Sequence, residues 1–407
     1  MQGYSEVQTA KVAHQAAGVR LSHLDGLRGV AAFSVVLVHF LAAFAPALAF
    51  GSDFTSERSW QTLLSASPLF LFINGSFAVY IFMVLSGYVI AASCEHTRSS
   101  LVGLVAGRFV RLVLPSSAAV VVAICLFAAH TINLVAISEI YQHWWNKLLY
   151  KPDGFTWPAA AFDLLGGYLV TGQSYFVPPL WTMQVEFMGS CAIYLVFSIF
   201  GSSKFRLVAY LVMAVFTVAI VPADKAPLYL SFAAGAAMRD GRVANLTLNV
   251  WFAIFALLVG GFFGGMSQFM KPSETFYGSV LASSFEALRV HILYVWTVAA
   301  GLIVFAFVVH SPLQKLLAGA FGSFLGRISF AVYLLHFPIL ASLGVYFFLL
   351  IGRFSAFGFA ATLAIYLTVV VLAAVIFERL VDRPAIRLSH NLRRWLRPMA
   401  QQASFRG

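Results

Sequence analysis

The chain alternates between long stretches in which nearly every position is apolar and shorter polar connections. About 20 consecutive apolar residues give a helix long enough to cross the hydrocarbon core of a bilayer. On that measure helices are expected at about 27–49, 68–93, 110–130, 180–200, 206–222, 226–239, 247–265, 289–309, 329–351 and 355–377. The sixth stretch, APLYLSFAAGAAM, is short for a span. The expected fold class is all-α, a polytopic transmembrane helix bundle of about ten spans. It forms one domain over residues 21–390, between a polar N-terminal tail (1–20) and a basic C-terminal tail (391–407).

Composition agrees with this pattern. Apolar residues make up 61% of the 407 positions and charged residues 10%, against about 25% charged in a soluble domain. The polar first twenty residues and the uncleaved look of the apolar run that follows point to a retained span, not a signal peptide. Cys94, Cys125 and Cys191 have neither the even number of a disulfide framework nor metal-ligand spacing. The net charge of +11 is explained by topology. With the N-terminus in the cytoplasm, 19 of the 26 lysines and arginines fall on that face, so both termini are expected there. No soluble basic domain exists to bind nucleic acid.

The informative residues are polar ones inside apolar runs. Arg28 and His39 are eleven residues apart in LRGVAAFSVVLVHF, which is three helical turns plus about 20° and a rise of roughly 16 Å, so they share a helix face. A mid-span histidine is costly and therefore a functional candidate, the alternative being a helix-to-helix hydrogen bond. In a dry site it would be neutral and able to act as a general base. Arg108 and Arg111, spaced i, i+3 in GRFVRLVLP, are either topogenic anchors or a fork for phosphates. Glu186, about six residues inside the outer end of the fourth span, is either a structural ion-pair partner or a residue that orients His39 or an incoming hydroxyl. Ser86 and Gly87, and then Ser329, Tyr333, His336 and Pro338, suit close packing or a cavity wall. The long connection 131–179 carries Trp144, Trp145 and Trp157, an interfacial belt or a stacking platform for an acceptor.

Taken together, LDGLRGVAA with His39, IFMVLSGYVI, the Arg108–Arg111 pair, LWTMQVE, ISFAVYLLHFPI and FERLVDRP resemble the acyltransferase-3 family of integral membrane O-acyltransferases. The resemblance implies transfer of an acyl group, most often acetyl, from cytoplasmic acyl-CoA to a hydroxyl of a glycan, glycolipid or other cell-envelope acceptor. It implies no permanently bound cofactor, and a multi-pass protein of the plasma membrane, the inner membrane in a bacterium, with envelope-assembly proteins as further partners. It also implies His39 and Glu186 as catalytic, Arg28, Arg108 and Arg111 as donor-binding, and Ser86, Trp181, Tyr333 and His336 as substrate-binding residues. On this reading His39 deprotonates the acceptor directly, or an acyl-His39 or acyl-Ser86 intermediate forms first. Two rival classes are a transporter or flippase for a polar lipid or sugar using a His/Glu relay, and a non-catalytic subunit of a polysaccharide assembly.

Overall fold

The structure is a computed structural model that describes residues 22–51, 60–95, 99–133, 136, 139, 156–200, 203–246, 248–270, 275–281 and 291–396. The N-terminal tail, Trp144, Trp145 and the tail beyond residue 396 lie outside the described residues. Among those described there is no strand. The principal helices are α1 (Ser22–Phe44), α2 (Gly75–Glu95), α3 (Leu101–Ala128), α4 (Thr182–Ile199), α5 (Ser203–Ile220), α6 (Ala226–Asp240), α7 (Val250–Gly264), α8 (Ile292–Val309), α9 (Ala320–Ile339), α10 (Ala356–Phe377) and α11 (Arg383–Trp395).

Seven helical stretches among the described residues are long and apolar enough to cross a membrane: Ser22–Phe44, Gly75–Glu95, Leu101–Ala128, Pro178–Ile199, Ile292–Val309, Ala320–Gly352 and Ala356–Trp395. The other three expected spans coincide with α5, α6 and α7, of 18, 15 and 15 residues. Several boundaries differ from the sequence reading, α9 for instance starting at Ala320 where 329 was expected, and two of them have a visible cause. Helix α3 begins nine residues earlier than expected, where Ser100 caps it by accepting the Gly103 N–H at 3.1 Å. Its arginines had marked the edge of the apolar run, yet they lie two turns or more inside the helix and face a protein cavity. Beyond α10 the chain does not break. A π turn at Glu378–Asp382 leads directly into amphipathic α11, whose Ser389 hydroxyl donates to the Gly107 carbonyl of α3 at 2.7 Å.

Small residues let the central helices touch backbone to backbone. A Cβ on Gly87 of α2 would stand 1.9 Å from the Phe232 carbonyl oxygen of α6, and one on Gly235 would stand 1.9 Å from that of Val84. In lipid, where apolar side chains gain nothing by leaving the solvent, such close packing is a main source of helix association. Helices α1 and α9 approach in the same way, with Gly29 against Leu325 and Gly326 against the Asp25 carbonyl. Polar clasps hold the periphery. Asn74 accepts the Phe77 N–H at the start of α2 and donates to the carbonyls of Gly264 and Met266 past α7, at 3.0, 2.8 and 3.1 Å. Arg206 of α5 makes a bidentate pair with Asp240 of α6 at 2.8 and 2.9 Å, and the Tyr210 hydroxyl donates to the same carboxylate at 3.0 Å. The contact of α1 with α9 sets the active groups, because it brings residue 39 beside residue 336.

Candidate active site

Helices α1, α2, α3, α4 and α9 enclose a cavity of ≈ 270 Å³. Arg28, Arg108, Arg111 and Arg327 face into it against the carboxylates of Glu186 and Asp382, so its lining carries net positive charge. The sequence-expected residues Arg28, Ser86, Arg108, Arg111, Glu186 and Tyr333 are thus gathered on one wall system. Trp181 is not in that lining. It ends the 3-10 turn Pro178–Trp181 and is 39% exposed.

The charges in this cavity are arranged in pairs. One oxygen of Glu186 accepts the Ser86 hydroxyl at 2.5 Å, and the other accepts the Arg108 guanidinium. Arg111 reaches both oxygens of Asp382, the longer contact at 3.5 Å, and lies over the Phe330 ring at 5.0 Å. Arg28 pairs with Asp25 one turn earlier, at 3.5 Å. Buried guanidiniums need such partners, since an uncompensated charge away from water is strongly destabilising. Glu186 had been expected beside His39 or the acceptor. Its carboxylate forms the ion pair that was the other reading of this residue, with Arg108 in the arginine cavity, and the side chain hydrogen-bonded to His39 is that of His336.

His39 Nδ1 lies 2.8 Å from His336 Nε2, with the two rings within 13° of parallel. On its other side His336 Nδ1 faces the backbone carbonyls of Tyr333 and Val332, at 2.7 and 3.2 Å. Carbonyls only accept, so His336 Nδ1 carries a hydrogen, and the neutral ring has its lone pair on Nε2. His39 must then donate from Nδ1, which leaves the lone pair of neutral His39 on Nε2. Phe337 packs edge-on to the His39 ring at 5.7 Å. His336, for which the sequence had suggested a substrate contact, is wholly buried and is not among the residues lining the arginine cavity.

His39 itself opens on a second cavity, of ≈ 190 Å³, together with Phe50, Phe70, Ser76, Gln268, Phe269 and Trp296. Tyr333 lines the arginine cavity, and its ring centroid is 5.8 Å from that of His336. The Tyr333 hydroxyl is held by Thr182 Oγ1 and the Pro179 carbonyl, each at 2.7 Å.

A model of the family described as an acyltransferase domain, acyltransferase-3, matches residues 21–379. The chain belongs to this acyltransferase family. It is also 26% identical to the O-acetyltransferase PaAT-1 of Phomopsis amygdali, over 407 aligned residues that cover 88% of this chain and 79% of that protein. No solved structure gives a significant match. The match runs from α1 to the end of α10 and covers every lining residue of the two cavities except Asp382. With seven helical stretches long and apolar enough to cross a membrane, the chain is a multi-pass membrane acyltransferase.

Sequence reasoning missed Asp382, Gln268 and Trp296. Asp382 had a usable signal. Ionisable residues in membrane helices come in pairs, and FERLVDRP offers one of the few acids near an apolar run to balance Arg108 and Arg111. Trp296 and Gln268 had none, because an aromatic or amide beside a span is ordinarily an interfacial anchor.

Proposed function

We propose that the protein transfers an acyl group, acetyl in the simplest case, from acyl-CoA to a hydroxyl of a glycan, glycolipid or other envelope acceptor, with His39 as general base. The observation that carries this reading is the placement of the histidine pair between an arginine-lined cavity and an aromatic-lined one. The first suits a polyphosphate donor, since guanidiniums bind phosphate oxygens as forks. The second suits an alcohol with an apolar ring face, for which Phe50, Phe269 and Trp296 supply stacking surface.

In this mechanism the donor's phosphates engage Arg28, Arg108, Arg111 and Arg327, exchanging with Glu186 and Asp382 for the arginines. The pantetheine arm runs inward past Ser86 to Tyr333, and the thioester reaches His39 when the Tyr333 and His336 side chains, which link the first cavity to His39, shift aside. His39 Nε2 takes the proton of the acceptor hydroxyl as its oxygen attacks the thioester carbonyl. The tetrahedral intermediate expels CoA thiolate, which takes the proton back from the His39 imidazolium. The product ester and free CoA are left, and His39 returns to its starting form. Holding both reactants against one base turns a bimolecular encounter into an effectively unimolecular step.

One contact favours a second reading. The Ser86 hydroxyl donates to Glu186 at 2.5 Å, the arrangement of a nucleophile and its base, so an acyl-Ser86 intermediate is the competing route. The Glu186 carboxylate is also held by the Arg108 guanidinium, as a structural ion-pair partner would be, which favours direct transfer. Family membership places either route above transport through a His/Glu relay. The test is transfer of label from radioactive acetyl-CoA by Ser86→Ala and His39→Ala variants. Direct transfer requires that Ser86→Ala keep most activity and that His39→Ala lose it.

A further inference from the structure

Resting on that reading, we infer that His336 is a positioning residue, which fixes the tautomer and ring plane of His39 so that the lone pair stays on Nε2. Four observations carry it. Both nitrogens of His336 are already engaged, one by His39 at 2.8 Å and the other by the Tyr333 and Val332 carbonyls at 2.7 and 3.2 Å. The side chain has no exposure and borders neither cavity, so it has nothing to offer a substrate. Its backbone is pinned as well, the Tyr366 hydroxyl of α10 donating to the His336 carbonyl at 3.1 Å. Finally, the two rings lie within 13° of parallel with centroids 5.0 Å apart, an arrangement compatible with a hydrogen bond between the two nitrogens.

The chemistry follows from donor and acceptor inventories. A neutral imidazole has two tautomers, and only the one with hydrogen on Nδ1 can receive a proton at Nε2. Removing the group that selects the tautomer leaves the base in place but pointing its hydrogen the wrong way, a fault that costs up to about 10⁴-fold in kcat where it has been isolated. In this protein the selecting group is an imidazole whose own tautomer is set by the α9 backbone. The backbone of one helix thereby dictates the protonation pattern of a base on another.

The test compares membranes containing equal amounts of wild type, His336→Asn, His336→Gln, His39→Ala and the His39→Ala/His336→Asn double variant. The readout is transfer of label from radioactive acetyl-CoA into the membrane fraction, saturated to give maximal rate and KM. Asn can satisfy the α9 carbonyls but is too short to reach His39, whereas Gln is long enough for its oxygen to accept from His39 Nδ1. The expected result is a fall of roughly 10²- to 10³-fold in maximal rate for His336→Asn with KM for acetyl-CoA unchanged, a much smaller fall for His336→Gln, and a double variant no slower than His39→Ala. Should His336→Asn not accumulate as folded protein, His336→Met takes its place, matching Gln in length without the acceptor. Equal rates for the Gln and the shorter or acceptor-less variant would overturn the inference. So would a raised KM at unchanged maximal rate, which means substrate contact, or a double variant well below His39→Ala, which means general structural damage. Full activity in His39→Ala would remove the general-base reading itself. Loss there, with full activity in His336→Asn, would remove only the positioning role.

Discussion

Glu186→Gln is expected to weaken the fold and tighten donor binding at the same time. The substitution keeps the shape of the side chain and an oxygen for the Ser86 hydroxyl, but it removes the charge that balances Arg108. Taking one partner from a fully buried ion pair costs about 3–5 kcal/mol, because the remaining charge is left uncompensated. Here the Arg108 and Glu186 side chains retain 14% and 13% exposure, to the cavity, so some solvent screening remains and the lower end, about 3 kcal/mol, is the expected loss. The double variant Arg108→Gln/Glu186→Gln removes both charges and should recover most of that stability. Donor affinity moves the other way. In the wild type a phosphate must displace Glu186 from Arg108, while in Glu186→Gln the guanidinium is already available, so the Kd for CoA should fall. Thermal unfolding in detergent and titration with CoA read the two effects separately. A Glu186→Gln protein as stable as wild type, or one that binds CoA more weakly, would refute this reasoning.

Other outcomes follow from the same structure. Gly235→Leu drives side-chain atoms into the α2 backbone at Val84 and should abolish folded protein, with Gly235→Ala, whose Cβ already overlaps the Val84 carbonyl oxygen, costing at least about 3 kcal/mol, checked by recovery from size exclusion and by melting temperature. Trp296→Ala and Gln268→Ala, which alter the second cavity, should raise the KM for acceptor several-fold while leaving the Kd for CoA unchanged; a change in CoA affinity alone would count against the acceptor assignment. Asp163, in the helix Trp157–Leu164, accepts from the Ser174 hydroxyl and from the N–H groups of Tyr175 and Phe176 at 2.8, 2.8 and 2.9 Å, and burial raises its carboxyl above the usual range. A raised folded-state pKa means the folded protein holds that proton more tightly. Its stabilising effect is complete below the unfolded carboxyl's pKa and declines as pH rises through the raised value. Asp163→Asn should flatten this decline in a series of melting temperatures against pH.

The helical membrane fold was legible because apolar runs of span length admit few other structures. The boundaries were not equally legible. Arg108 and Arg111 looked like the entry to α3, whereas a polar residue facing a protein cavity is compatible with the middle of a span, and hydropathy cannot tell lipid-facing from protein-facing positions. His39 was found because a mid-span histidine is expensive. Its partner was present in YLLHFPIL, but the pairing depends on α1 lying against α9 across 297 positions of sequence, which no local pattern encodes. The same long-range folding put Glu186 with Arg108 and Asp382 with Arg111. Spacing on one helix could place Arg28 and His39 on a common face, yet it could not show that the arginines and the histidine serve two separate cavities.

The most direct measurement is the transfer of label from radioactive acetyl-CoA into the envelope of cells expressing wild type or His39→Ala at matched levels. Label accumulating with wild type and falling to background with His39→Ala is the expected result, and the labelled product would identify the acceptor. Equal labelling by the two proteins would contradict His39 as the base on which transfer depends.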